Sequence, residues 1–371
     1  QMRFKHPIPS GYAALNTTAL PAATIPDGSV YFDTLLWTGD NAVNRTFTGL
    51  EFSPDFVWHQ ARSIAWGSGL VDAVRGVGSG GPTLRTFNTS AEETVNNFGA
   101  VTALTSDGFT VSKGGFGSSQ WAYVNQSSAT YVAWAWDAGS STVSNTDGSI
   151  TSSVRANATA GFSIVSWTGT GSAGTIGHGL NSAPELIIGK NRGNSTSWMV
   201  GAAAANDWSK VMFLNTADGL TTNGNFNNTA PTSSVFSVGT GSGLNQNTYA
   251  HIAYCFSAVA GYSSFGSYEG NGSSDGPFAY TGFKIGWLMI KDADSSGAWI
   301  IWDIARQAYN VQGPYLLADQ SVAESDADLV DILSNGFKIR TTTGSMNTSG
   351  ITYLYFAFAE NPFQANGGLA R

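Results

Sequence analysis

The stretch that decides the fold is "TYVAWAW", Thr130 to Trp136, because the chain contains a version of it three times. Aligning YVAWAW (131–136) with HIAYCF (251–256) and YFAFAE (355–360) gives one pattern, in which bulky apolar residues alternate with small ones. Successive side chains of a β-strand point to opposite faces. The pattern therefore predicts a strand with one bulky face and one nearly flat face. Such a strand fits the interior of a β-sandwich, with another layer pressing close on its flat face.

Other segments recur in the same order around this strand. Each copy has a strand ending in a glycine turn, then a turn and a strongly apolar strand, and a short segment before the aromatic strand. The strands ending in a glycine turn are LLWTGD (35–40), IVSWTGT (164–170) and FGSYEGN (265–271), and the preceding segments are SDGFTV (106–111), SSVFSV (233–238) and SNGFKI (334–339). Each copy is large enough for its own core, which predicts three tandem domains rather than a solenoid of short units. We place them at 31–144, 145–262 and 263–371, after a linker over 1–30.

Helical periodicity is nearly absent from the chain. The two best short-helix candidates are AEETVNNFG (91–99) and SDADLVDILSNG (325–336), the second with Ser325 as its cap and Gly336 as its stop. The remainder predicts short strands between turn clusters. The predicted fold is all-β, with three tandem antiparallel β-sandwich domains of jelly-roll or lectin-like type and few short helices.

Composition limits the classes of partner. The 17 Lys and Arg against 25 Asp and Glu give a net charge of −8, which argues against nucleic acid or an anionic membrane as the main partner. No apolar run reaches the length of a membrane span. Cys255 is the single cysteine, so no internal disulfide forms. The opening QMRF suggests a fragment of a longer chain.

The ordered motifs resemble a repeated module of virion structural and tail-fibre-like proteins of marine bacteriophages. The segments that carry the resemblance are YFDTLLWTGD, GLEFSPDFVWHQARS, LVDAVRG, LTSDGFTV, TYVAWAW, SYEGNGSSDGPFAYTGFKIGWLMIKDAD, IIWDIARQAYN, LSNGFKIR and YLYFAFAENPF. The start, QMRFKHPIPSGYAALNTTALP, looks like the end of a SPRY-like domain. Repeat two departs most, with GAAAANDW (201–208) where repeat one has LVDAVRG. The resemblance implies a virion or extracellular location and other virion proteins as partners.

Catalytic and cofactor motifs are weak. Two G-x-G-x-x-G strings, at Gly76 and Gly169, lack a following helix and predict turns rather than a nucleotide site. The four histidines have no metal-ligand spacing, and the chain has no glycosidase carboxylate signature. We therefore expect no enzyme activity and no cofactor.

One loop invites a metal hypothesis. In DADSSGAWIIWD, Asp292, Asp294 and Asp303 match positions 1, 3 and 12 of an EF-hand-like loop, so Ca²⁺ is an alternative there. The flanks predict strands instead of helices, which favours a hairpin turn rich in Asp and Ser. The acidic run Glu324, Asp326, Asp328 and Asp331 is more typical of a solvated face.

Aromatic residues in polar loops are the candidate ligand-binding residues. An indole or phenol beside Asn, Gln and Ser suits the face of a sugar, and the same residues also suit a contact between domains or subunits. The residues concerned are Trp66, Trp121, Trp208 and Tyr309.

These observations predict a non-enzymatic phage virion protein. It would be a fibre or a capsid- or tail-associated appendage that contributes to attachment to a host cell-surface glycan and assembles as a homo-oligomer, a trimer by analogy with fibres. The rival hypotheses are a purely architectural shell, sheath or filament subunit, a secreted polysaccharide-active enzyme, and a bacterial adhesin.

Overall fold

The computed structural model describes residues 24–78, 82–94 and 97–360, and nearly all of its regular structure is β. The predicted all-β sandwich class is confirmed. The expected SPRY-like end lies mostly in residues 1–23, outside the described residues. No described helix is long and apolar enough to cross a membrane.

Three groups of strands follow one another along the chain. The first group contains β1 (Phe32–Thr38), β2 (Arg45–Thr48), β3 (Phe56–Ala61), β4 (Ser68–Asp72), β5 (Ala100–Thr105), β6 (Gly108–Ser112) and β7 (Thr130–Trp136). The second contains β8 (Thr142–Asn145), β9 (Ser152–Asn157), β10 (Phe162–Thr168), β11 (Gly174–Gly177), β12 (Leu186–Asn191), β13 (Met199–Ala202), β14 (Lys210–Phe213), β15 (Thr221–Thr222), β16 (Val235–Val238), helix α1 (Ser242–Asn245) and β17 (Ala250–Phe256). The third contains β18 (Ser263–Glu269), β19 (Phe278–Tyr280), β20 (Ile285–Asp292), β21 (Ile300–Asp303), β22 (Gln312–Leu317), β23 (Ser325–Leu333), β24 (Gly336–Ile339), helix α2 (Gly344–Asn347) and β25 (Thr352–Ala359).

Each repeat has the same inner sheet. The strand orders β1-β7-β3-β4, β10-β17-β12-β13 and β18-β25-β20-β21 are equivalent, with the aromatic strand second in each. Outer strands cover the flat face of each inner sheet: β2-β6-β5 in repeat 1, β11-β16 in repeat 2 and β19-β24-β23 in repeat 3. In repeat 1, for example, Ala133 and Ala135 pack with Val101, Phe109 and Val111. Small residues on the inner strand let the outer layer approach.

The bulky faces of the three inner sheets meet in a fourth core. Trp136, Phe256 and Phe358, which are equivalent in register, contact one another with ring centroids 5.7 to 6.3 Å apart. Only a void of about 10 Å³ remains beside them, lined by apolar side chains. The repeats therefore close into a ring around a shared aromatic centre instead of standing in a row.

The register corrects the alignment of the third copy. Phe358 lies opposite Trp287, as Phe256 lies opposite Leu186 and Trp136 opposite Phe56. The third copy is therefore YLYFAF (353–358), two residues earlier than predicted from the sequence. A shift of two residues leaves every side chain on the same face, so alternation alone could not detect it.

Both predicted helices are wrong. Residues 325–333 form β23, in which Asp326 and Asp328 are exposed while Val330 and Ile332 are buried, and Asn335 and Gly336 turn the chain into β24. The apolar residues of this segment fit the periodicity of a helix and that of a strand. Its pairing with β24 makes it a strand. Residues 91–94 are extended, with Glu93 bridged to Thr83, and 97–99 are not helical.

Glycine and asparagine fix the strand-end turns. A Cβ on Gly169 would lie 2.2 Å from the carbonyl oxygen of Gln246, so only glycine fits there. The side chain of Asn245, fully buried, accepts from Thr170 N at 2.8 Å, and Asn347 makes the same contact with Asn271 N at 2.8 Å. The G-x-G-x-x-G string at Gly169 is thus part of a structural turn, as predicted.

Candidate functional site

The polar chemistry of the described residues is concentrated where one repeat meets the next. We call these three contacts seams and name them by the repeats they join. One backbone hydrogen bond recurs in all three: Glu92 N donates to Arg192 O (2.8 Å) in seam 1/2, Leu220 N to Ala293 O (2.7 Å) in seam 2/3, and Glu324 N to Arg62 O (2.6 Å) in seam 3/1. The recurrence shows that the ring has approximate threefold symmetry.

A buried D-x-x-R motif lies in two of the seams. In seam 1/2, the hydroxyl of Tyr254 donates to Asp72 at 2.8 Å, and Asp72 also pairs with Arg75. In seam 3/1, the indole of Trp134 donates to Asp303 at 2.9 Å, and Asp303 pairs with Arg306 at 2.6 Å. All four charged side chains of these two motifs have no exposed surface.

A glutamate links two arginines across each of the same seams. Glu92 contacts Arg75 at 3.0 Å and Arg192 at 2.9 Å. Burial raises the pKa of Glu92, but the hydrogen bonds and charges of Arg192 and Arg75 outweigh it and hold that pKa below its ordinary value. Glu324 lies in the same way between Arg306 and Arg62, and its pKa is lowered for the same reason. These carboxylates are ionised structural partners of arginine.

Equivalent positions on β3, β12 and β20 reach across the seams to carbonyl groups. Gln60 Nε2 donates to Leu317 O at 3.1 Å, Lys190 Nζ to Thr89 O at 3.1 Å, and Lys291 Nζ to Ala217 O at 3.0 Å. Desolvation lowers the pKa of each lysine to about 8. The lysines act here as multiple donors to backbone oxygens.

The three aspartates of the calcium hypothesis have separate partners. Asp292 accepts from the backbone of Asp294 and Ser295 at 3.0 and 2.7 Å, which is the turn chemistry of an Asx motif. Asp294 accepts from Thr352 N at 2.7 Å, and Asp303 belongs to seam 3/1 at the other end of the hairpin. Within residues 24–78, 82–94 and 97–360, no three His, Cys, Asp or Glu side chains converge to hold a metal ion.

The four loop aromatics lie in three different repeats and do not converge. Trp66 is half-buried against Phe98 (4.9 Å), and Trp208 is half-buried against Phe226 (5.4 Å). Trp121 is only 5% exposed. Tyr309 is 83% exposed, and its carbonyl accepts from the side chains of Gln307 and Gln312. Of the four, Tyr309 alone presents a largely free ring.

Sequence reasoning missed two exposed aromatic residues on β19. Phe278 is 46% and Tyr280 66% exposed, whereas Ala279 between them is buried. Strand alternation places both rings on the solvent face. The segment PFAY (277–280) carries the signal, because two aromatics there flank a single small residue.

The extent of the ring agrees with a family assignment. A family model described as a domain of unknown function, DUF7483, matches residues 27–362, which include all three repeats. The chain belongs to the DUF7483 family. The family unit is therefore the whole ring rather than a single sandwich. No curated protein and no solved structure matches the chain. The virion origin expected from the sequence stays a prediction.

Proposed function

We propose that this DUF7483 chain is a non-catalytic structural and attachment module of an extracellular assembly. The assembly is a virion appendage, as the sequence resemblance implies, and the ligand is a cell-surface polysaccharide. Other virion proteins are its partners, and it functions without a metal or cofactor.

The observation that carries the proposal is the use made of four carboxylates in the seams. Asp72, Glu92, Asp303 and Glu324 each contact an arginine inside a seam. Hydrolysis of a glycosidic bond needs two carboxyl groups facing each other across a cleft that admits the substrate. These four carboxylates instead hold the ring together, and the central void is small, about 10 Å³, and apolar.

The surface supports attachment. Charged residues are only 11% of the chain, so its exterior carries few charges. Exposed aromatic rings such as Tyr280 and Tyr309 combine an apolar face with a hydroxyl group, which suits the faces and edges of sugars.

Co-sedimentation of the purified chain with bacterial envelope polysaccharide tests the proposal, with the supernatant assayed for new reducing ends. We expect binding and no new reducing ends. New ends would show an enzyme and overturn the proposal. Absence of binding to every polysaccharide would leave the architectural role and also overturn the attachment function.

A further inference from the structure

The solvent face of the outer sheet of repeat 3 differs from its equivalents. Pairing across the sheet places Ala279 opposite Phe337, as Phe47 lies opposite Phe109 in repeat 1 and Ile176 opposite Phe236 in repeat 2. The positions of Phe278 and Tyr280 are therefore held by Thr46 and Thr48 in repeat 1. Repeat 2 has Thr175 and Gly177 there.

Two of the three equivalent threonines have a local hydrogen-bond partner. Thr46 lies 2.8 Å from Thr110, hydroxyl to hydroxyl, and Thr175 accepts from Ser149 N at 2.9 Å. Phe278 and Tyr280 instead place two large rings in solvent, at a position where polar residues satisfy the same fold. The fold of the other repeats does not require an aromatic pair here, which points to a ligand.

Both rings are seated against glycines. Phe278 Cε2 lies 3.0 Å from the place where a Cβ on Gly336 would stand, and the hydroxyl of Tyr280 lies 3.5 Å from that place on Gly282. A side chain at Gly336 would crowd the Phe278 ring, whereas the distance at Gly282 is an ordinary van der Waals contact with Tyr280. The Phe278 ring is therefore packed closely on Gly336 before any ligand arrives, which reduces the entropy lost on binding.

The charges around the rings are balanced. Lys338, opposite Phe278, pairs with Asp275 at 2.8 Å, and Arg340 pairs with Asp331 at 3.4 Å. These two pairs leave no net charge for an ionic ligand, and the net charge of −8 repels polyanions.

Strand pairing with a second protein chain is disfavoured at this edge. β19 has only three residues, and the hydroxyl of Tyr355 donates to Tyr280 O at 3.3 Å on the sheet. Short edge strands are a common protection against edge-to-edge association. The rings, rather than the backbone, are the available binding surface.

We propose that Phe278 and Tyr280 form a stacking platform for an uncharged polysaccharide. Residues i and i+2 of a strand lie about 7 Å apart, so the two rings contact separate sugar units of one chain. Lys338 and Asp275 border the platform as hydrogen-bonding groups. This inference rests on the proposed attachment function and assigns it a site and a ligand class.

Affinity electrophoresis tests the platform, with native gels that contain a neutral glucan (hydroxyethylcellulose or laminarin), dextran, or the anionic polysaccharide alginate. The variant is the double substitution Phe278→Thr and Tyr280→Thr, which installs the residues of repeat 1. The matched control is Val143→Thr, since Val143 is an apolar strand residue that is 55% exposed in repeat 2. Circular dichroism checks the fold, and Tyr280→Thr alone replaces the double variant if that protein does not fold.

We expect retardation by at least one neutral polysaccharide, an affinity about tenfold or more lower in the double variant, and no change in the control. Equal binding by the wild type and the double variant would overturn the site but leave the attachment function standing. Binding to alginate alone would overturn the ligand class. Loss of a dimer in the double variant, without polysaccharide binding by the wild type, would identify a second copy as the occupant and overturn the proposal.

Discussion

Trp134 of the first repeat donates its indole N–H to Asp303 of the third, and Tyr254 of the second donates its hydroxyl to Asp72 of the first. The third seam has neither group. Phe356 holds the position of Trp134 and Tyr254, and Ala202 holds that of the aspartates. A donor on the aromatic strand thus accompanies an acceptor in the neighbouring repeat, and an apolar ring accompanies an alanine.

Removing only the aspartate of the D-x-x-R motif should therefore lower the free energy of unfolding more than removing both the aspartate and the arginine. Asp303→Ala leaves the Arg306 guanidinium buried without its main partner, and we expect a loss of about 3–5 kcal/mol in the free energy of unfolding. Asp303→Ala with Arg306→Ala resembles seam 2/3 and should lose less, because Glu324 keeps its contact with Arg62. Urea denaturation measures both values, with Asp328→Ala at an exposed position of β23 as the control. Equal or greater loss in the double variant would contradict this account.

His251 should make the protein sensitive to acid. Burial lowers the pKa of His251 to about 4, and its ring stacks on Trp167 at 5.4 Å. A group whose pKa is lower in the folded state contributes stability above its unfolded pKa, near 6.5, and that stability is lost as the pH falls toward 4. The loss is on the order of 3 kcal/mol.

A tyrosine from the other repeats should remove this sensitivity. Tyr131 accepts from Gln126 N and Tyr353 from Thr348 N, as His251 Nε2 accepts from Gln246 N. His251→Tyr should match the wild type at pH 7 and exceed it in stability at pH 4.5, measured by urea denaturation. His59, whose pKa burial lowers to about 3, is present in both proteins, so their difference isolates His251. Parallel stability curves would rule out the role assigned to His251.

An isolated repeat should not be a stable monomer. A fragment covering 145–262 would expose Ile164, Leu186, Tyr254 and Phe256, all buried in the shared core of the ring. We expect this fragment to self-associate or to remain unfolded, measured by light scattering after size-exclusion chromatography. The segment 27–362 is the control and should fold cooperatively. A folded monomeric fragment would show that the shared core is dispensable.

Cys255 should be chemically silent in the native protein. It is fully buried on the flat face of β17, and desolvation raises the pKa of its thiol. A thiol reagent such as DTNB should react with less than a tenth of the chains before unfolding and with one thiol per chain in guanidinium chloride. Cys255→Ala, the residue of repeats 1 and 3, should cost only about 1 kcal/mol. Rapid native reaction would mean that the inner and outer sheets separate easily.

Calcium should leave the thermal stability unchanged. Asp292 is occupied by the backbone of its own turn, and Asp303 by Arg306 and Trp134. Melting curves with millimolar Ca²⁺ and with EDTA should coincide within about 1 °C. A rise of several degrees with Ca²⁺ would revive the loop as a metal site.

The sequence predicted the class of the fold because alternation on the aromatic strands is a local signal. The relation between the repeats is not local. The bulky face of TYVAWAW and of each copy predicts that it is buried against another layer. In the structure that layer is formed by the equivalent strands of the other two repeats. Nothing in the spacing distinguishes such a ring from a row of sandwiches. The alignment of the third copy was wrong by two residues for a related reason. A shift of two residues leaves every side chain on the same face of the strand, so the alternation of bulky and small residues does not reveal it.

The candidate site was less predictable. Trp66 and Trp208 lie in polar loops, yet both pack against the outer cores, and Trp121 is only 5% exposed. Phe278 is exposed because its strand is only three residues long and the buried position falls to Ala279. Once the strand register is known, a comparison of equivalent positions in the three repeats distinguishes packed aromatic residues from exposed ones.

The shared aromatic centre also sets the order of events during synthesis. Trp136 cannot be covered until Phe256 and Phe358 have left the ribosome, and Phe358 follows about 220 residues later. At ordinary rates of translation that interval is roughly ten seconds or longer. For this time the nascent chain carries exposed aromatic strands, and exposed apolar surface of this kind is prone to association until the last strand is made.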